Sequence, residues 1–190
     1  MPKNDRIAQE RMNPDRVIRR YGDRCLRQQC RQADHTDPDT AELIKRLWRI
    51  LDADGGVGLA APQIGVDLRV VIIRDPEAPP AKRKLALINP EVVETFGPEV
   101  AFEEGCLSFP GLFFDVNRPR GVVVNYTDEG GHKHQVRNEG MFARIVLHEV
   151  DHLNGVLFSD HLSLFSRFLM LPRLFMQWTG YLFWKRRNGK

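Results

Sequence analysis

The stretch LHEVDHLNGVLFSDH, residues 147–161, constrains this chain more than any other. His148 and His152 stand four residues apart, and Glu149 directly follows the first. On an α-helix that spacing puts both imidazoles on one face, where they can reach a single ion. Glu149 then sits beside a ligand without being one, in position to take a proton from a metal-bound water. The plainer alternative is a chance HExxH on a solvated helix. The flanking ARIVL and VLF weigh against it, because apolar flanks mark a buried helix. Buried histidines and acids are costly unless something pairs with them, which favours a metal site.

Two histidines do not complete a catalytic site, which takes three protein ligands and leaves one position open. The metzincin pattern HExxHxxGxxH is followed as far as Gly155, but its last position is Phe158, which cannot bind a metal. No glutamate occurs after Glu149, so the downstream-Glu arrangement of other zinc proteases is excluded. His161 lies one turn further on, beyond the Gly155 break. The third ligand is therefore expected upstream.

Two upstream stretches bear on this. EGCLSFPG, residues 104–111, contains Cys106, and GVGLAAPQIG spans residues 56–65. With HEVDH they match, in order, the three motifs GxGxAAxQ, EGCLS and HExDH, and the chain thereby resembles the peptide deformylase family. RYGDRCLRQQC, RPRGVVVNYTDEGG and HLNGVLFSDHL extend the likeness over roughly residues 16–162. There are two departures. Leu147 stands where many relatives have Gln, and Arg144 lies one turn before His148, where it can pair with an acid such as Asp151 or narrow the substrate pocket.

The resemblance implies hydrolytic removal of the formyl group from the N-terminal formyl-methionine of new polypeptides. It supplies Cys106 as the third ligand beside His148 and His152, holding one divalent metal. The native ion is expected to be Fe(II), with zinc, nickel or cobalt able to replace it in purified protein. A metal-bound water is the nucleophile, Glu149 the general base, and the Gln63 amide and Leu107 backbone N–H the oxyanion donors. Gly58 and Gly105 hold the substrate main chain. Val57, Phe109, Met141 and Ile145 are candidates for the methionine slot by their closeness to the motifs, and each serves equally well as ordinary core. Asp151 is expected to orient the site without binding metal. An HExxH metallo-peptidase and a catalytically silent binding homologue are the alternatives. The five intact residues Cys106, His148, Glu149, His152 and Gln63 argue against the second.

The remaining sequence reads as α+β, with mostly antiparallel small sheets around a central metal-binding helix and a C-terminal helical tail. A helix is expected over DPDTAELIKRLWRILDAD, capped by Asp37 or Thr40. Strands are expected in RVVIIR and LALINPEVVE, and two more in GVVVNYTDEGGHKHQVR around a turn at residues 128–131. The Gly run at 55, 56 and 58 lacks the GK[ST] or GxGxxG of a phosphate loop. At 190 residues, 42% hydrophobic and 28% charged, the chain has the make-up of one soluble globular domain. Residues 1–15 are expected to be a mobile arm, 16–165 the catalytic domain and 166–190 a tail. The charged N-terminus has no apolar signal core, and Asp5, Glu10 and Asp15 disfavour a transit peptide. Three cysteines, Cys25, Cys30 and Cys106, are an odd number and suit reduced thiols, so a cytoplasmic location is expected.

The tail stands apart. Leu164, Phe168, Leu171, Phe175, Trp178 and Leu182 form an apolar stripe at spacings of three and four, and Pro172 is expected to end or kink the helix. A transmembrane span is not expected, because Arg167, Pro172, Arg173 and Gln177 interrupt the apolar run. After Leu162 there are six basic residues and no acid, although the whole chain carries only +3. Folding back on the enzyme's own core is the first expectation for the stripe. Self-association into a homo-oligomer, a membrane-surface helix and ribosome contact through the basic end are the others.

Overall fold

The computed structural model describes residues 18–175 apart from Arg173. The arm expected over residues 1–15, and Trp178 and Leu182 of the tail stripe, lie outside the described residues.

Five strands form one antiparallel meander in the order β1 (Gly58–Ala60), β2 (Val70–Arg74), β3 (Lys84–Cys106), β4 (Phe109–Thr127) and β5 (Lys133–Glu139). Two helices flank it, α1 (Pro38–Asp54) and α2 (Met141–Leu153). The sequence of β2, VVIIR, is apolar without alternation because the strand is covered on both sides. Val71 and Ile73 pack toward α2 with Phe142, Ile145, Val146 and Val150. Val70 and Ile72 pack toward α1 with Leu43, Ile44, Leu47 and Leu51. Side chains alternate faces along a strand, so the two sets fall naturally into a helix–sheet–helix sandwich.

Helix α1 starts where Asp37 accepts a hydrogen bond from the Asp39 N–H at 2.9 Å, with Pro38 in its first turn. It ends at Gly55, whose φ of 78° lets its N–H reach the Leu51 carbonyl. Of the two caps expected, Asp37 is the one used. The 128–131 turn forms as expected, with the Gly131 N–H on the Asp128 carbonyl at 3.0 Å.

The length of β3 and β4 was not legible in the sequence. Together they make a long hairpin whose register shifts four times, between residues 88 and 91, 92 and 94, 96 and 99, and 105 and 106. Each irregularity bends a strand and changes the local twist. The bent hairpin wraps α2, which touches all five strands and is thus the central helix expected. Its N–H at Met141 is capped from afar by Glu77, at 3.3 Å.

Residues 164–172 and 174–175 are helical, with Pro172 inside the first of these stretches. The face that packs is not the one the stripe indicates. Met170 and Leu174 are buried against Phe109, Leu112, Val116 and Phe158, whereas Leu164, Phe168, Leu171 and Phe175 are exposed. This segment is apolar on nearly every side, so periodicity alone could not single out the inward face. None of Cys25, Cys30 and Cys106 is joined in a disulfide.

Candidate metal centre and active site

Helix α2 carries His148, Glu149 and His152 on its inner side, all buried. Cys106 comes from the last residue of β3, where residues 107 and 108 turn the chain directly into β4. The ligand atoms of Cys106, His148 and His152 all lie within 4.8 Å of one another, and Cys106 Sγ is 3.2 Å from His152 Nε2. A sulfur and two imidazole nitrogens suit a divalent transition metal. Burial also drives His152 strongly toward its neutral form, the form that donates a lone pair. The donor set therefore fits a metal ion.

His161, the other histidine considered for the third ligand, is engaged elsewhere: its Nε2 meets Asp151 Oδ2 at 2.8 Å. Phe158, at the last metzincin position, is fully buried and edge-on to Phe109.

Behind the ligands lies a buried ionic network. His148 Nδ1 faces Glu104 Oε2 at 2.9 Å, which turns the other ring nitrogen toward the ligand group. Arg118 donates to both Glu104 oxygens, at 2.7 and 3.1 Å, and to Asp151 at 2.7 Å. Burial opposes the charge on Glu104, but the bonds from His148 and Arg118 outweigh it and hold the carboxyl well below the usual range. Arg144 does not pair with Asp151. It donates to Glu104 at 2.9 Å and to the Val116 and Val100 carbonyls at 2.8 and 2.6 Å, and it also lines the cleft. Asp151 instead links Arg118 to His161.

Glu149 is buried in the lining of the cleft, and its Oε2 accepts no hydrogen bond among the described residues. Burial pushes its carboxyl up to about 7; Glu104 and Asp151 add to the rise, while His148 and Arg118 oppose it. A carboxyl near 7 can both take and return a proton at neutral pH. Gly58 is the residue that admits it, since a Cβ there would lie 2.4 Å from Glu149 Oε1. Gly105 is explained similarly, by the Phe113 ring 2.4 Å from where its Cβ would be.

Gln63 is buried in the 3-10 turn Ala61–Ile64. Its Oε1 accepts from the Ala60 N–H at 2.8 Å, which points Nε2 at Cys106 Sγ (3.4 Å) and Ser108 Oγ (3.3 Å). Leu107 occupies the β3–β4 turn next to Cys106.

A cleft of about 1090 Å³ opens in front of these groups. That volume suits a peptide better than a single side chain. Val57, Gly58, Gly105, Phe109, Met141 and Ile145 all line it, with Val57 largely exposed and Phe109 and Ile145 buried as walls. The motifs pointed to every member of this inner set. They did not point to Arg118, which sits twelve residues beyond Cys106 in sequence and is recruited only by the hairpin. Glu104 had a signal, its place inside EGCLS, that was read as motif and not as a histidine partner.

A Cys-His-His cluster shared by a buried HExxH helix and the end of β3, with a raised carboxyl beside it and a peptide-sized cleft before it, defines a metal-dependent hydrolase. Residues 16–168 match the family model described as polypeptide deformylase, and the chain belongs to that family. It is 41% identical to the peptide deformylase of Borreliella burgdorferi over 141 residues, 74% of this chain and 84% of the relative. With that of Clostridium botulinum it shares 44% over 146 residues, 76% of this chain and 95% of the relative. The crystal structure of a peptide deformylase from Legionella pneumophila superposes with a TM-score of 0.77 at 35% identity, covering 92% of this chain and 98% of that one. The activity is that of the family: hydrolytic removal of a formyl group.

Proposed function

We propose that residues 16–165 form the catalytic unit, acting in the cytoplasm on the formyl-methionine that begins newly made polypeptides. The observation that carries this reading is Glu149, buried with an unpaired oxygen beside the Cys106–His148–His152 cluster at the floor of the cleft. Cys106, His148 and His152 would hold one divalent ion, Fe(II) in the native enzyme, which when bound polarises water and the formyl carbonyl. Glu149 takes the proton of the attacking water and passes it to the departing amine. The Gln63 amide, already fixed by Ala60, and the Leu107 N–H stabilise charge developing on the formyl oxygen. The main chain at Gly58 and Gly105 holds the extended peptide backbone, and Val57, Met141, Ile145 and Phe109 enclose the methionine side chain. The tail carries two further readings, ribosome contact and self-association, and the exposure of its helix bears on both.

The test is hydrolysis of formyl-Met peptides against unformylated ones by protein purified without oxygen, with its metal content determined. Release of formate from the first only, in proportion to bound iron, is the expected result. Cleavage of internal peptide bonds would favour the metallo-peptidase, and no turnover by metal-loaded protein would favour the silent homologue.

A further inference from the structure

The helical segment that follows the catalytic elements presents an apolar face that the described residues leave uncovered. Leu164 is 84% exposed, Phe165 71% and Phe168 69%, and Leu169 and Leu171 are each more than half exposed. The segment is nevertheless anchored to the body. Met170 and Leu174 are buried in the cluster that includes Phe109, a wall of the substrate cleft. Arg167 fixes the start of the helix by donating to the Leu162 carbonyl at 3.1 Å and to that of Asp160.

We propose that this face rests on the surface of an anionic lipid bilayer. Large exposed apolar patches mark interaction sites, and this one lies within a strongly one-signed stretch. From residue 161 to 190 there is no acid, while Arg167, Arg173, Lys185, Arg186, Arg187 and Lys190 are basic. The sequence past the described residues adds Trp178, Tyr181 and Trp184 immediately before that basic run. Apolar groups, amphipathic aromatics and cations together are the composition of a helix lying in the lipid interface. No described helix is long and apolar enough to cross a membrane. Nucleic acid would answer the charge but leave the phenylalanines in water. A second copy would cover the phenylalanines but bring two basic tails together.

The experiment uses the full, metal-loaded chain sedimented with vesicles of phosphatidylcholine alone or mixed with phosphatidylglycerol, at low and high salt. The expected result is partition onto the phosphatidylglycerol vesicles that weakens with salt. Phe168→Glu should cut it roughly tenfold or more, with formyl-Met peptide hydrolysis in solution unchanged. Replacing Lys185, Arg186 and Arg187 by Ser should remove the phosphatidylglycerol-dependent part, roughly fivefold for each charge. Leu164→Gln, at the most exposed position, is the second variant if Phe168→Glu folds poorly. The proposal is overturned if the unaltered chain stays in the supernatant with both vesicles. It is equally overturned if the chain doubles in mass with concentration and Phe168→Glu makes it monomeric, or if it sediments with ribosomes in preference to vesicles.

Discussion

Gly58 in β1 lies so close to Glu149 in α2 that a methyl group at its Cα would sit 2.4 Å from the carboxylate oxygen. The glycine of the first motif and the glutamate of the third therefore form one fitted pair, and the burial of Glu149 depends on it.

Gly58→Ala should accordingly push Glu149 aside while leaving Cys106, His148 and His152 in place. Misplacing a catalytic group by about 1 Å costs roughly 10² in rate. The expected outcome is a fall of that order in kcat for formyl-Met peptides with metal content retained. Normal turnover would show that Glu149 tolerates displacement.

Glu149→Gln keeps the shape but cannot accept a proton. Loss of a general base costs roughly 10²–10⁴ in rate, and the variant should still bind its metal because Glu149 is not a ligand. Metal analysis alongside steady-state kinetics checks both halves, and near-normal activity would remove Glu149 from the mechanism.

Arg144→Met should destabilise the fold. The substitution takes from buried Glu104 one of its cationic partners and leaves the Val116 and Val100 carbonyls without this donor. Glu104 keeps Arg118 and His148, so the loss is that of a hydrogen bond to a charged group, about 1.5–3 kcal/mol. Urea unfolding measures it, and Arg144→Lys should recover only part of the loss because an ammonium cannot span all three acceptors.

Asp128 gives the pH dependence. The His134 side chain, at 2.7 Å, and the His132 and Gly130 N–H groups hold its carboxyl below the usual value. A depressed carboxyl stabilises the fold above its unfolded pKa, about 3.9, and that contribution is lost as pH falls toward the lower folded value. Asp128→Asn should therefore lower the thermal midpoint at pH 7, and the gap from the unaltered protein should close as the pH falls below about 4. A gap independent of pH would mean the carboxylate's charge is not what matters.

The candidate site was partly legible in the sequence because most of its members lie in short segments whose geometry is local. His148, Glu149 and His152 follow from helical spacing, and α1, β2 and the 128–131 turn follow from periodicity and turn residues. That Cys106 joins the histidines came through the resemblance, since nothing local ties residue 106 to residue 148. What only the tertiary structure decided was pairing across distance. Arg144 chooses Glu104 over Asp151 because the bent β3–β4 hairpin brings Glu104 and two carbonyls within its reach, while Arg118 has already taken Asp151. Four register shifts set that bend, and no single residue announces them. The tail shows the same limit: with apolar side chains nearly all round the helix, its own sequence could not say that Met170 and Leu174 would turn inward. The shape of the surface it met, around Phe109 and Phe158, made that choice.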